Sequence, residues 1–169
     1  MASAGDSITR AFDIDWSHFL SDSPQYSWST GSDGAVRSEY QRILTAKPAI
    51  RGNAYNDAQT GAKMVDLAGQ LTAAASQKVQ YLTILMGAND LCTSSAATMT
   101  PTATFQAQFE KALSTFLVSD PTARVMVVSI PNIYQLWNTL HGNWAAEATW
   151  NSVGICQSML SWSNSEADR

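Results

Sequence analysis

Apolar residues fall along this chain in two alternating rhythms. Residues 79–86 and 124–130 are nearly continuous apolar runs of strand length, the second containing Val125, Met126, Val127 and Val128. Such runs fit strands buried on both faces of a parallel sheet. Residues 1–4 read as the remnant of a first strand and residues 49–55 as a weaker second one. Residues 57–76 instead place Met64, Leu67, Leu71 and Ala74 at spacings of three and four, which predicts a helix with one buried stripe. Residues 101–118 repeat that rhythm with Phe105, Phe109, Ala112 and Phe116. Thr100 is the expected N-cap, Pro101 the first-turn residue, and Asp120-Pro121 the stop.

The rest is less regular. Residues 21–36 are rich in Ser, Asp, Gly and Pro and read as a surface loop. Residues 132–163 scatter apolar positions (Tyr134, Leu136, Trp137, Leu140, Trp144, Trp150, Met159, Leu160), predicting helices broken near Gly142 and Gly154. Strands alternating with helices predict a three-layer α/β domain, a parallel sheet flanked by helices. With no repeat, low-complexity tract or linker, residues 1–169 read as a single domain.

Composition narrows the function classes. The chain is 45% hydrophobic and only 14% charged, which is globular and suits a secreted protein. A formal net charge of −4 without a Lys/Arg cluster argues against nucleic acid or anionic membrane as the main partner. The longest apolar runs are too short for a transmembrane span, and residues 1–4 read as the first strand rather than as a signal peptide.

Chemistry enters at the strand ends. Gly5-Asp6-Ser7 follows the first strand, Asn56-Asp57-Ala58-Gln59-Thr60-Gly61 the second, and Gly87-Ala88-Asn89-Asp90 the third. A serine on a strand-to-helix turn has its hydroxyl at the carboxyl end of the sheet, where open α/β folds place ligands. In order and spacing the three pieces resemble the first three blocks of the SGNH (GDSL) hydrolases, serine esterases of flavodoxin-like α/β fold. The likeness extends through Ile8-Thr9-Arg10-Ala11-Phe12, the Ser27-Trp28-Ser29-Thr30-Gly31 loop and Leu91-Cys92, and is similar to secreted actinobacterial members.

The resemblance implies Ser7 as nucleophile toward carboxylic esters. Its own N–H, the N–H of Gly61 and the side-chain amide of Asn89 would form the oxyanion hole. Asp6, Gly87 and Asp90 would support the turns. The chemistry agrees: serine needs a base to become nucleophilic, and a tetrahedral oxyanion needs donors aimed at it. Gly61 admits close backbone approach, and a neutral amide at Asn89 donates without perturbing a base. Taken alone, Ser7 would read as a helix N-cap; Gly61 and Asn89 in register favour the catalytic reading. The second block departs from its commoner form by carrying Gln59-Thr60 where small residues are usual.

The family's fourth block, a late Asp-x-x-His, has no counterpart, so the catalytic His and Asp are expected to lie outside this chain. The last strand is expected to be missing too, leaving the domain incomplete at the C-terminus, and at the N-terminus where the first strand starts at or before Met1. Only two histidines occur. Asp15-Trp16-Ser17-His18 has the right spacing, but His18 follows Ser7 by eleven residues, roughly 16 Å if a helix continues. His141 reads as a surface or interface residue.

Cys92 and Cys156 are the only cysteines. A bridge between them is the favoured reading for a secreted enzyme; two buried thiols, or pairing with cysteines elsewhere, are the alternatives. Tryptophans 16, 28, 137, 144, 150 and 162 fit core edges as well as sugar-stacking faces and select no substrate. No zinc spacing or phosphate loop is present, so no metal and no cofactor is implied. The overall expectation is a serine esterase or lipase for a small ester or acylated substrate. Acetyl esterase action on polysaccharide and a non-catalytic α/β ligand-binding module are the rivals, and the oligomeric state is left open.

Overall fold

In the computed structural model, which describes residues 1–15, 17 and 19–166, four parallel strands form one sheet in the order β2-β1-β3-β4. β1 is Ala2–Gly5, β2 Tyr55–Asn56, β3 Tyr81–Leu85 and β4 Arg124–Val128. The helices are α1 (Glu39–Ala46), α2 (Leu67–Ser76), α3 (Ala88–Leu91), α4 (Thr102–Ser119), α5 (Ile133–Leu140), α6 (Trp144–Val153) and α7 (Gln157–Leu160). The expected parallel α/β architecture is therefore present.

Alternation along the strands divides the sheet chemically. Ala2, Ala4, Leu82 and Ile84 point into one core with Leu67, Leu71 and Ala74 of α2 and Ala112 and Phe116 of α4. The helical stripes predicted from spacing are those that pack. The opposite face is polar: the Ser3 hydroxyl meets Thr30 Oγ1 at 3.2 Å, and Thr83 Oγ1 meets Ser29 Oγ at 2.7 Å. The serine-rich loop is thus pinned behind the sheet by hydroxyl pairs, because each buried hydroxyl needs a partner.

Several local expectations are corrected. The second strand has only two residues, and residues 48–50 form a 3-10 turn instead. The helix expected over 57–76 begins at Leu67, after a 3-10 turn at Met64–Asp66. Pro101, not Thr100, occupies the N-cap of α4; the Thr100 hydroxyl donates to Asp90 Oδ1 at 2.7 Å, a buried carboxylate outcompeting a local cap. β4 is not buried on both faces: as an edge strand beside β3 alone, it leaves Met126 40% and Val127 55% exposed. Residues 132–163 do contain broken helices, with Gly154 in the left-handed conformation closing α6. α1, unforeseen, buries no side chain fully and starts in a capping box between Ser38 and Gln41.

Candidate functional site

The carboxyl ends of β1, β2 and β3 bring the three blocks to one edge. Gly5, the last residue of β1, is the anchor. Its N–H donates to Gln70 Oε1 at 2.7 Å, and its carbonyl accepts from Gln70 Nε2 at 2.9 Å and from the Gln59 N–H at 3.1 Å. A side chain at Gly5 would strike the Leu85 carbonyl, at 2.4 Å from a Cβ, so only glycine lets β1 lie this close to β3. The second block hangs on the first: Asp57 N–H donates to the Ser3 carbonyl at 2.8 Å, and Asn56 Nδ2 to the Thr9 carbonyl at 3.1 Å.

After Gly5 the chain makes successive turns over residues 6–13, not the expected helix; the Thr9 and Arg10 N–H groups both donate to the Asp6 carbonyl at 3.1 Å. Ala11 and Asp13 adopt positive φ, which ends any helical path. The distance argument against His18 therefore loses its basis. His18 and Trp16 lie outside the described residues. Ser7 is half-buried on this turn.

Asp6 and Asp90 are buried supports. Asp6 Oδ1 accepts the Ile8 N–H at 3.0 Å, whereas Oδ2 is buried with no hydrogen-bond partner. Burial pushes the Asp6 carboxyl above the ordinary aspartate range; the backbone N–H groups of Ile8, Ala88 and Asp6 oppose this, and the neighbouring Asp90 adds to it. Asp90 is fully committed, accepting the Met64 N–H at 2.8 Å and the Thr100 hydroxyl. It thereby ties α3 to the turn leading into α2 and to the start of α4.

Asn89, half-exposed on α3, donates from Nδ2 to the Ala62 carbonyl at 2.9 Å, which links the third block to the residue after Gly61. Gly61 has φ +83° and faces open space where a Cβ would stand. Among the described residues, the N–H groups of Ser7 and Gly61 and the Ser7 hydroxyl have no hydrogen-bond partner. Gly87, with φ +126°, is also restricted sterically, since a Cβ would lie 3.1 Å from the Phe105 ring.

α3 is stapled from behind. Cys92 and Cys156 form a disulfide with Cα atoms 4.1 Å apart, just below the usual lower bound of about 4.4 Å. Ser158 reinforces it: its hydroxyl donates to the Leu91 carbonyl and accepts the Thr93 N–H at 3.1 Å. A second small core of Trp150, Met159 and Leu160 packs with Leu91 and Met99. Residues 133–160 thus form a helical cap buttressing the asparagine block. His141, at the end of α5, stacks on Trp137 at 4.5 Å between ring centroids, with Nδ1 3.1 Å from the Trp137 and Asn138 carbonyls.

An apolar groove of about 520 Å³ opens beside α3, lined by Met86, Gly87, Leu91, Phe105, Phe109 and Ile130 among others. A larger hollow, about 800 Å³, lies among Met1, Tyr55, Tyr81 and Arg124 at the amino ends of the strands. The smaller groove lies toward the carboxyl ends, where open α/β sheets bind ligands, and Gly87 and Asp90 line it while Ser7, Gly61 and Asn89 do not. No cluster of three or more His, Cys, Asp or Glu side chains able to hold a metal occurs among the described residues. No helix among them is long and apolar enough to cross a membrane.

A parallel sheet with serine, glycine and asparagine blocks on consecutive strand ends defines the class, and sequence comparison supplies the family. The pattern of the GDSL-like lipase/acylhydrolase family matches residues 2–167, and the chain belongs to that family of ester hydrolases. A solved structure described as a GDSL-like lipase, from Parabacteroides merdae, shares the fold with a TM-score of 0.54 at 20% identity. The match covers 75% of this chain and 56% of that one, so the chain spans little more than half of that protein's length. No curated protein matches.

Proposed function

We propose that this chain supplies the nucleophile and oxyanion hole of a secreted serine hydrolase for carboxylic esters. Ser7 Oγ attacks the acyl carbon. The N–H groups of Ser7 and Gly61 and the second amide proton of Asn89 receive the developing oxyanion. The observation that carries this reading is that the Ser7 and Gly61 N–H groups and the Ser7 hydroxyl all lack a partner among the described residues, on loops that follow the carboxyl ends of the paired strands β1 and β2. Free donors held on rigid supports are what charge stabilisation in an acyl transition state needs. The apolar groove beside Gly87 offers a seat for an acyl tail, and its volume lies in the usual range for small-molecule sites. The disulfide is consistent with an oxidising, extracellular setting.

Neither histidine of the chain is assigned the base. The His141 ring is occupied by Trp137 and by carbonyls of its own helix. Without a base in reach, the Ser7 site would retain only the oxyanion-hole contribution, roughly 10³-fold over water. The test is hydrolysis of 4-nitrophenyl acetate by the chain and by Ser7→Ala, each with and without imidazole as an external base. A Ser7-dependent rate that rises with imidazole beyond the buffer reaction supports the proposal. Equal rates for parent and Ser7→Ala under both conditions overturn it. Strong activity without imidazole that is lost in His18→Ala would assign the base to His18.

A further inference from the structure

The loop carrying Gly61 is held on both flanks, from two different directions. On one side Asn89 Nδ2 donates to the Ala62 carbonyl. On the other, the Thr60 hydroxyl donates to Asp22 Oδ1, and Asp22 Oδ2 accepts Arg10 Nε at 2.8 Å. Arg10 belongs to the turn that Ser7 opens: its N–H donates to the Asp6 carbonyl, and its own carbonyl accepts the Ser23 N–H at 3.2 Å, beside Asp22. One carboxylate therefore joins the Ser7 turn to the residue that shares a peptide plane with the Gly61 N–H.

One backbone bond closes the turn around that plane, the Ala62 N–H donating to the Gln59 carbonyl at 3.1 Å, and Thr60 and Gly61 stand at its exposed tip. Gly61 sits at positive φ with nothing within 4 Å of where a Cβ would stand, so sterics do not fix it. Thr60 and Gln59 are themselves exposed, so packing does not fix it either. Thr60, which replaces the small residue usual at this place, provides the one side-chain tether immediately before the glycine.

We infer that Asp22 and Thr60 are positioning residues for the Gly61 N–H, with the Asp22 carboxylate setting that peptide in register with the Ser7 turn. This rests on the assignment of Ser7, Gly61 and Asn89 proposed above. The Asp22 carboxyl is raised by its partial burial, but the Thr60 hydroxyl and the Arg10 guanidinium outweigh this and hold it below the ordinary aspartate range, so the bridge is charged near neutral pH. Arg10 and Asp22 side chains are 24% and 29% exposed, and an ion pair so open to water adds little to fold stability. Its contribution is orientation.

The experiment compares the parent chain with Thr60→Val, Thr60→Ser and Asp22→Ala by three readouts: the melting temperature, the ¹⁵N order parameter of Gly61, and the rate of Ser7 labelling by a fluorophosphonate in imidazole buffer. Thr60→Val and Asp22→Ala are expected to lower the Gly61 order parameter from about 0.85 to below about 0.6. Labelling should slow about tenfold, the scale of a donor displaced but not removed. Melting should stay within about 2 °C of the parent, as for a surface change. Thr60→Ser should restore both other readouts. A rigid Gly61 in Thr60→Val, or a loosened Gly61 with labelling at the parent rate, overturns the inference. Absence of Ser7 labelling in the parent chain overturns the serine-hydrolase reading instead, while the order parameter still decides whether the tether exists.

Discussion

Replacing both Cys92 and Cys156 by alanine removes a cross-link between residues 64 apart in sequence. In the chain-entropy description, a loop of that length restricts the unfolded ensemble by about 4 kcal/mol at 25 °C. The folded state should change little. Ser158 still bonds Leu91 and Thr93, and the core of Trp150, Met159 and Leu160 still packs on Leu91. The loss is therefore expected almost wholly through the unfolded state, in one cooperative transition. Set against a typical total of about 5–15 kcal/mol, it is a large fraction. Urea unfolding of the double variant should show a stability lower by about 4 kcal/mol and a larger m-value, since the unfolded chain exposes more surface. The melting temperature should fall by about 8–16 °C for a domain of this size. A loss below about 1 kcal/mol would refute the entropic reasoning. A separate early transition for residues 133–160 would refute the claim that the cap holds without the bridge.

Gly5→Ala should destabilise by about 3 kcal/mol or more, because its Cβ would meet the Leu85 carbonyl of a central strand at 2.4 Å, and backbone cannot yield as a side chain does; urea denaturation or loss of soluble protein reads this. Asp90→Ala strips the acceptor from the buried Met64 N–H and from the Thr100 hydroxyl, and should cost about 2–4 kcal/mol, measured the same way. Burial raises the carboxyl groups of Asp6 and Asp57 in the folded protein, so each binds its proton more tightly folded than unfolded. Their contribution to stability therefore falls as pH rises from the unfolded value near 3.8 and levels off above the raised folded values; Asp57→Asn should remove its part of that slope in a pH series of melts.

The parts of the fold governed by local pattern were legible in the sequence. Continuous apolar runs mark β3 and β4, and the stripes Met64-Leu67-Leu71-Ala74 and Phe105-Phe109-Ala112-Phe116 mark helices that do pack on the sheet. α1 was not legible, since it has no fully buried residue and depends on the cap between Ser38 and Gln41. The turns after Ser7 were misread as a helix because the positive φ values at Ala11 and Asp13 leave no mark in residue type. The exposure of β4 depends on which strands flank it, a property of topology rather than of its own residues.

The candidate site divides in the same way. Ser7, Gly61 and Asn89 could be named from block order. Asp22 bridges Arg10, 12 residues before it, and Thr60, 38 residues after it, and no periodicity encodes this. Thr60 itself gave a signal, as an unusual residue before the glycine, but its purpose emerges only when Asp22 is placed beside it.

The central claim, that Ser7 is a nucleophile facing an oxyanion hole completed by Asn89, is tested most directly by locating a fluorophosphonate adduct. The chain is incubated with the probe in imidazole buffer, digested and mapped by mass spectrometry, alongside Ser7→Ala and Asn89→Ala. The account predicts one adduct on Ser7, none in Ser7→Ala, and labelling slowed by roughly 10²-fold in Asn89→Ala. An unmodified Ser7, or a Ser7 adduct that forms at the parent rate in Asn89→Ala, would contradict it.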